Sequence, residues 1–262
     1  MNPNDQTQVP GSGAVGYTES INQPTKIRLS NGAEVAITDW SWRKMYSVVD
    51  VLSGATNEEL YTFNYVEGDQ VSFSANIGVN QRRTATIKDC NNKGKSQMPS
   101  EQEYICYAVA IQIWQFVYDA GTEEDPLTGE ESYLNPIGGP IANSANLSIA
   151  ATKLIFSLEI TEKDFFTGDP TWFSQGGGPF IVSSGGAGGN LRTYALNGLQ
   201  TKDAIDRAPV PLHIGGTEEF KGILYNQDGQ PIVWDDEDGN PDTTAVLRFR
   251  TEMIGLHKRP AG

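Results

Sequence analysis

Cysteine, histidine, basic charge and long apolar runs are all scarce in this chain, and each shortage excludes something. Cys90 and Cys106 are the only cysteines in 262 residues. Two are too few for the disulfide framework that staples small secreted domains. Free, half-buried thiols are the plainer reading, and a Cys90–Cys106 pair stays open. Two cysteines and two histidines at these spacings draw no four-ligand zinc site. The histidine shortage also bears on catalysis. His213 lies in the proline-rich stretch Pro209–Ile214 and His257 in Leu256–Pro260, and a Ser-His-Asp arrangement needs a histidine oriented by a carboxylate. There is no Gly-x-Ser-x-Gly elbow, and the Gly185–Gly189 run leads into Asn190-Leu191-Arg192 rather than the Lys-Ser/Thr of a phosphate loop. No catalytic residues and no required cofactor are expected.

The apolar segments Ala108–Val117 and Lys153–Ile160 fall well short of the roughly 20 residues of a membrane-spanning helix. The opening MNPNDQTQVPGSG has neither a basic start nor an apolar stretch, so synthesis in the cytoplasm is expected rather than secretion. Basic residues number 19 against 33 acidic, for a net charge of −14. Such a surface repels phosphate backbones and disfavours nonspecific nucleic-acid binding. It also makes divalent cations plausible glue between like-charged copies.

What is present reads as β-structure. Residues 1–25 are polar, with little apolar periodicity: either a disordered tail or an arm that orders against a neighbouring subunit. From Lys26 the pattern is strand, Ser30-Asn31-Gly32 turn, strand. Thr38-Asp39 suits a helix cap through Trp42, while Met45–Leu52 reads as a strand. Further strands are expected at Leu60–Val66, Gln70–Ala75, Arg83–Lys88 and Glu103–Val117. In the last, Ile105, Tyr107, Val109, Ile111 and Ile113 line one face at period two. Residues 119–140 are rich in Gly, Pro and acids and mark a boundary. Strands resume at Asn146–Ile160, Pro179–Ser183, Arg192–Leu196, Glu219–Tyr225, Ile232–Trp234 and Thr244–Ile254. Short strands with 28 glycines and 14 prolines favour a sandwich or barrel. A weak repeat relates Glu58-Glu59-Leu60, Tyr65 and Gly68 to Glu218-Glu219-Phe220, Tyr225 and Gly229. Tandem duplication or chance recurrence of turn residues produces such a match.

Carboxylates cluster most densely in 235–242. Asp236, Asp238 and Asp242 are the candidate Ca²⁺ ligands there, although the run lacks the spacing of a helix–loop–helix calcium site and also suits a solvated hairpin tip. Of the five tryptophans, Trp40, Trp42, Trp114 and Trp234 fall in or beside strand-like runs, where core packing is the default, and Trp172 lies in an irregular segment.

Three segments carry a family resemblance: Met98-Pro99-Ser100-Glu101-Gln102-Glu103 leading into a long strand, His213-Ile214-Gly215-Gly216-Thr217-Glu218-Glu219-Phe220, and Gly255-Leu256-His257-Lys258-Arg259-Pro260. With the tandem β-halves and the arm, the chain resembles the double jelly-roll major capsid proteins of tailless, membrane-containing icosahedral bacteriophages (corticovirus, tectivirus and finnlakevirus types). The resemblance implies an all-β chain of two tandem eight-stranded jelly rolls: an arm at 1–25, a first roll at 26–120, a linker at 121–142 and a second roll at 143–262. It further implies a homotrimer forming pseudo-hexagonal capsomers of the virion, assembled in the host cytoplasm around an internal lipid membrane. Neighbouring capsomers and other virion proteins are the expected partners, with the arm or the base loops reaching toward the membrane. A glycan-binding β-sandwich and a phage receptor-binding spike are the rival expectations.

Overall fold

In the computed structural model the described residues are 26–28, 34–36, 40–72, 82–118, 134–136, 142–173, 180–185, 191–196, 207–235, 240–243 and 245–258. The expected arm and most of the expected linker lie outside them. Eight strands build the main body: β1 (Trp40–Leu52), β2 (Glu59–Thr62), β3 (Glu103–Tyr118), β4 (Leu154–Ile160), β5 (Lys163–Gly168), β6 (Arg207–Ile214), β7 (Phe220–Asn226) and β8 (Ala245–Lys258). They form two antiparallel sheets, ordered β6-β3-β8-β1 and β5-β4-β7-β2.

The pairing has a simple logic. β1 pairs with β8, β2 with β7, β3 with β6 and β4 with β5. The first four strands thus meet the last four in reverse order, as in one long hairpin whose tip is the β4–β5 turn. Ile160 faces Lys163 across that tip, leaving Thr161 and Glu162 as a two-residue loop with φ of 47° and 61°. Both central residues are left-handed, the geometry whose twist matches the flanking strands. Rolled over itself, such a hairpin has the connectivity of an eight-stranded jelly roll.

Both halves of the chain enter each sheet. β8 runs beside β3 and β1, and β7 beside β2, so the expected boundary separates hydrogen-bonded neighbours. One core lies between the sheets, with Met45, Val51, Val109, Ile111, Leu247 and Phe249 from the first and Leu60, Phe156, Leu158, Phe220 and Leu224 from the second. These eight strands make an antiparallel sandwich around a shared core.

Two local expectations are corrected. Residues 144–153 form a helix, α1 (Ser144–Lys153), where a strand was read. Its buried Asn146, Leu147 and Ala150 recur at helical spacing, and β4 begins only at Leu154. In β3, alternation changes phase. Gly255 of β8 sits opposite Cys106 while Ile254 sits opposite Ala108, so Tyr107 is an extra residue. A bulge of this kind turns every following side chain over. Tyr104 and Cys106 face the core before it, and Val109, Ile111 and Ile113 face it afterwards.

The sandwich has two unlike ends. At one, the β4–β5 tip, the β6–β7 turn and the close of the long 63–102 excursion are tied together, Thr161 N donating to Glu219 O at 3.0 Å and Met98 N to Glu218 O at 3.1 Å. At the other, the β1–β2 turn meets the β7–β8 connection, Gly54 N donating to Ile232 O at 2.6 Å and Ser53 N to Ala245 O at 2.9 Å.

Candidate functional surfaces

β1 is an edge strand, and a bare edge invites pairing with another chain. The 63–102 excursion covers it. Asn91 acts as a false strand residue: its Oδ1 accepts from Tyr46 N at 2.8 Å, its Nδ2 donates to Lys44 O at 2.8 Å, and its own N donates to Tyr46 O at 3.1 Å. Further along, the Tyr65 hydroxyl donates to Val48 O at 2.6 Å and accepts from Val48 N at 3.2 Å. Burial pushes the Tyr65 phenol up, and the carboxylates of Asp50 and Asp89 add to the shift. That hydroxyl therefore stays protonated and available as a donor.

The same excursion engages buried charge on the outer face of the first sheet. Arg248 holds Asp50 through two hydrogen bonds, at 2.6 and 2.9 Å, and lies 3.7 Å from Asp89 of the excursion. All three are almost fully buried. Asp89 is itself set by the Thr86 amide and hydroxyl, at 2.8 and 2.9 Å. One turn of the pleat along, Glu252 takes Lys44 at 2.9 Å and Arg250 at 3.0 Å, while the Arg250 guanidinium stacks 3.9 Å over the Tyr46 ring. These are strand-to-strand and strand-to-excursion clamps.

The histidines lie at the sandwich end that carries the β6–β7 turn. His213 Nε2 is 2.9 Å from Glu103, which also receives Lys258 at 2.5 Å. Partial burial works against the Glu103 charge, but the hydrogen bonds from Lys258 and His213 outweigh it and hold the carboxyl below the usual range. His257 Nε2 is 2.9 Å from the Gln102 side-chain oxygen. Glu103 thus joins β3, β6 and β8 through one carboxylate.

Of the expected calcium ligands, Asp236 and Asp238 lie outside the described residues. Asp242 is half-buried on the short strand Pro241–Asp242, paired with Trp234–Asp235. Among the described residues there is no group of three metal-ligating side chains. The base of the acidic loop is anchored in a polar knot that sequence reading missed. Buried Asn146 accepts from Asp235 N at 2.7 Å and donates to Asp235 O at 2.8 Å, and Gln115 donates to the same carbonyl at 2.8 Å. An asparagine inside a helix carries no sign of such a role, since its partners lie 31 and 89 residues away.

Neither cysteine is in a disulfide and both are buried, and desolvation pushes the Cys106 thiol up to about 12. Trp234 is a core residue whose indole N–H donates to Val51 O at 2.8 Å. Trp42 departs from the core expectation: it is 63% exposed, stacked against Tyr107 with ring centres 5.8 Å apart. Trp172 is 72% exposed. An open polar hollow of about 440 Å³ lies on the excursion between Asn64, Tyr65, Asp69, Gln70, Val71 and Lys95. No helix among the described residues is long and apolar enough to cross a membrane. Comparison with protein-family models and with curated proteins gives no match to this chain.

Proposed function

We propose that the chain is the major shell subunit of an icosahedral, internal-membrane-containing virus, working in the virion by packing against copies of itself. The observation that carries this is the rolled-hairpin sandwich, since double-sheet jelly rolls of eight strands are the architecture of viral capsid and lectin domains. The three segments resembling membrane-containing phage capsid proteins favour the capsid branch. Two of them, Met98–Glu103 and His213–Phe220, meet at one end of the sandwich, where Thr217 N donates to Met98 O at 2.9 Å.

The capsid proteins it resembles reach a hexagonal outline with three chains of two jelly rolls each. One sandwich per chain reaches the same outline with six, so the trimer expected from tandem rolls becomes a six-copy ring in this proposal. Residues 1–25 and the loops at the sandwich ends are the parts assigned to neighbours and to the membrane-facing side. Ca²⁺ at Asp236, Asp238 and Asp242 belongs to the proposal as an ion joining like-charged copies. The exposed Trp42 and Trp172 favour a second reading, a glycan-binding sandwich, because flat aromatic faces in water suit sugar stacking.

Electron microscopy of the concentrated full-length chain separates the two. Closed shells or hexagonal sheets are expected. Dispersed single sandwiches that are retained on a glycan column would overturn the shell reading.

A further inference from the structure

Two surfaces of opposite sign lie on different sides of the sandwich. The first is the outer face of the β5-β4-β7-β2 sheet. Glu59 of β2, Glu159 of β4 and Asp164 of β5 stand on it, interleaved with Tyr61 and Tyr225. Lys221 shares this face, bound to Glu159 at 3.0 Å and 5.6 Å above the Tyr61 ring. The Tyr61 hydroxyl donates to Glu59, and Ser157 Oγ donates to Asp164 at 2.8 Å. Partial burial raises the Tyr225 phenol, and the charges of Asp164, Glu59 and Glu159 raise it further against the opposing charge of Lys221.

The second surface is the 82–95 stretch of the excursion. Residues 82–95 read RRTATIKDCNNKGK, five basic residues against one acid in a chain that is otherwise strongly acidic. The one acid, Asp89, is turned inward beside Arg248. Lys88, Lys93 and Lys95 are exposed, and Ile87 next to them is 55% exposed. Lys95 shares its charge with Asp69 at 2.9 Å, and Lys88 and Lys93 are the other exposed lysines of this stretch.

The excursion covers the outer edge of β1 in one sheet, while the acidic face is the outer side of the other sheet. A two-fold axis through either surface would set like charge on like. A head-to-tail contact satisfies both, and repeating it generates a ring or an open array. Tyrosine is a favoured residue at such contacts, and opposite charge sets their register and speeds encounter.

We propose that the Lys88–Lys93 surface of one copy docks on the Glu59/Asp164 face of the next, with Ile87 against Tyr61 and Tyr225. The inference rests on the shell reading and names its repeating contact. Copies carrying −14 repel one another overall, so a local contact of opposite sign decides which faces meet.

Neutralising variants of the full chain test this by sedimentation velocity: Lys88→Ala/Lys93→Ala removes the basic side, and Glu59→Gln/Asp164→Asn removes the acidic side. Each is expected to melt like the parent and to self-associate at least about tenfold more weakly, since 1.4 kcal/mol is already tenfold. Mixed one to one, they should form a heterodimer and stop there, because each pair retains one intact contact. Rising NaCl should weaken parental association. Folded variants that assemble like the parent, or a mixture that stays monomeric, would overturn the contact and leave the shell reading standing. A parent that never self-associates would overturn both. An acidic face that captures an oligolysine peptide without any self-association would assign it to a foreign basic partner and overturn the choice of a second copy.

Discussion

A Cβ built on Gly255 would stand 1.9 Å from the Ile105 carbonyl oxygen, at the bulge where Tyr107 is extruded. Backbone cannot yield that distance without opening the β3–β8 pairing. Gly255→Ala is expected to destabilise the fold by about 1–3 kcal/mol, the range of backbone and overpacking lesions. Urea unfolding measures it, and an unchanged midpoint would remove the bulge from the account of β3. Glu103 supplies a pH signature at the same scale. Its folded carboxyl sits below the usual range, so its contribution is fully present above the pH at which an unfolded glutamate takes its proton. The contribution is then lost as pH falls through the folded value. The acid limb of the melting curve should therefore be shallower in Glu103→Gln than in the parent. An identical slope would mean that Lys258 and His213 add nothing. At neutral pH, Cys106 should resist alkylation until the chain unfolds, because the thiolate is the reactive species.

Elements show how much of the fold was legible. Apolar-rich runs located β1, β3, β7 and β8; β8 is buried on both faces for most of its length, so continuous apolar content marks it rather than alternation. β5 was missed. Its tip is Thr-Glu rather than Asn-Gly, and Phe166 adopts a left-handed φ of 50°, so neither turn chemistry nor alternation marks it. Helix α1 was missed because its apolar residues run on into β4 without a breaker. The two segments that the weak repeat relates, 58–68 and 218–229, supply adjacent strands, where Leu60 faces Leu224 and Glu59 faces Tyr225. The buried charges were illegible for another reason, since Arg248 meets Asp50 from 198 residues away. That clamp joins β8, β1 and the excursion. Arg248→Met would leave Asp50 and Asp89 buried without their cation, at a cost of about 3–5 kcal/mol. Calorimetry of the isolated subunit reads it, and a loss under 1 kcal/mol would show that water already screens the cluster.

Across the whole molecule, acidity and self-association pull in opposite directions. If Ca²⁺ at Asp236, Asp238 and Asp242 joins copies, chelation should dissociate assemblies, and NaCl at matched ionic strength should not restore them. Asp236→Asn/Asp238→Asn should behave like the chelated parent. Full rescue by NaCl would reduce the loop to a solvated tip. Deleting residues 1–25 should leave the melting temperature of the sandwich nearly unchanged while weakening assembly, since their sequence offers a core almost no apolar side chains. Both tests presuppose that copies associate at all. Native mass spectrometry of the full-length chain over a wide concentration range addresses that directly. The account predicts closed rings, six copies for one sandwich per chain, growing into larger shells. A species that stays monomeric at the highest concentration would contradict it.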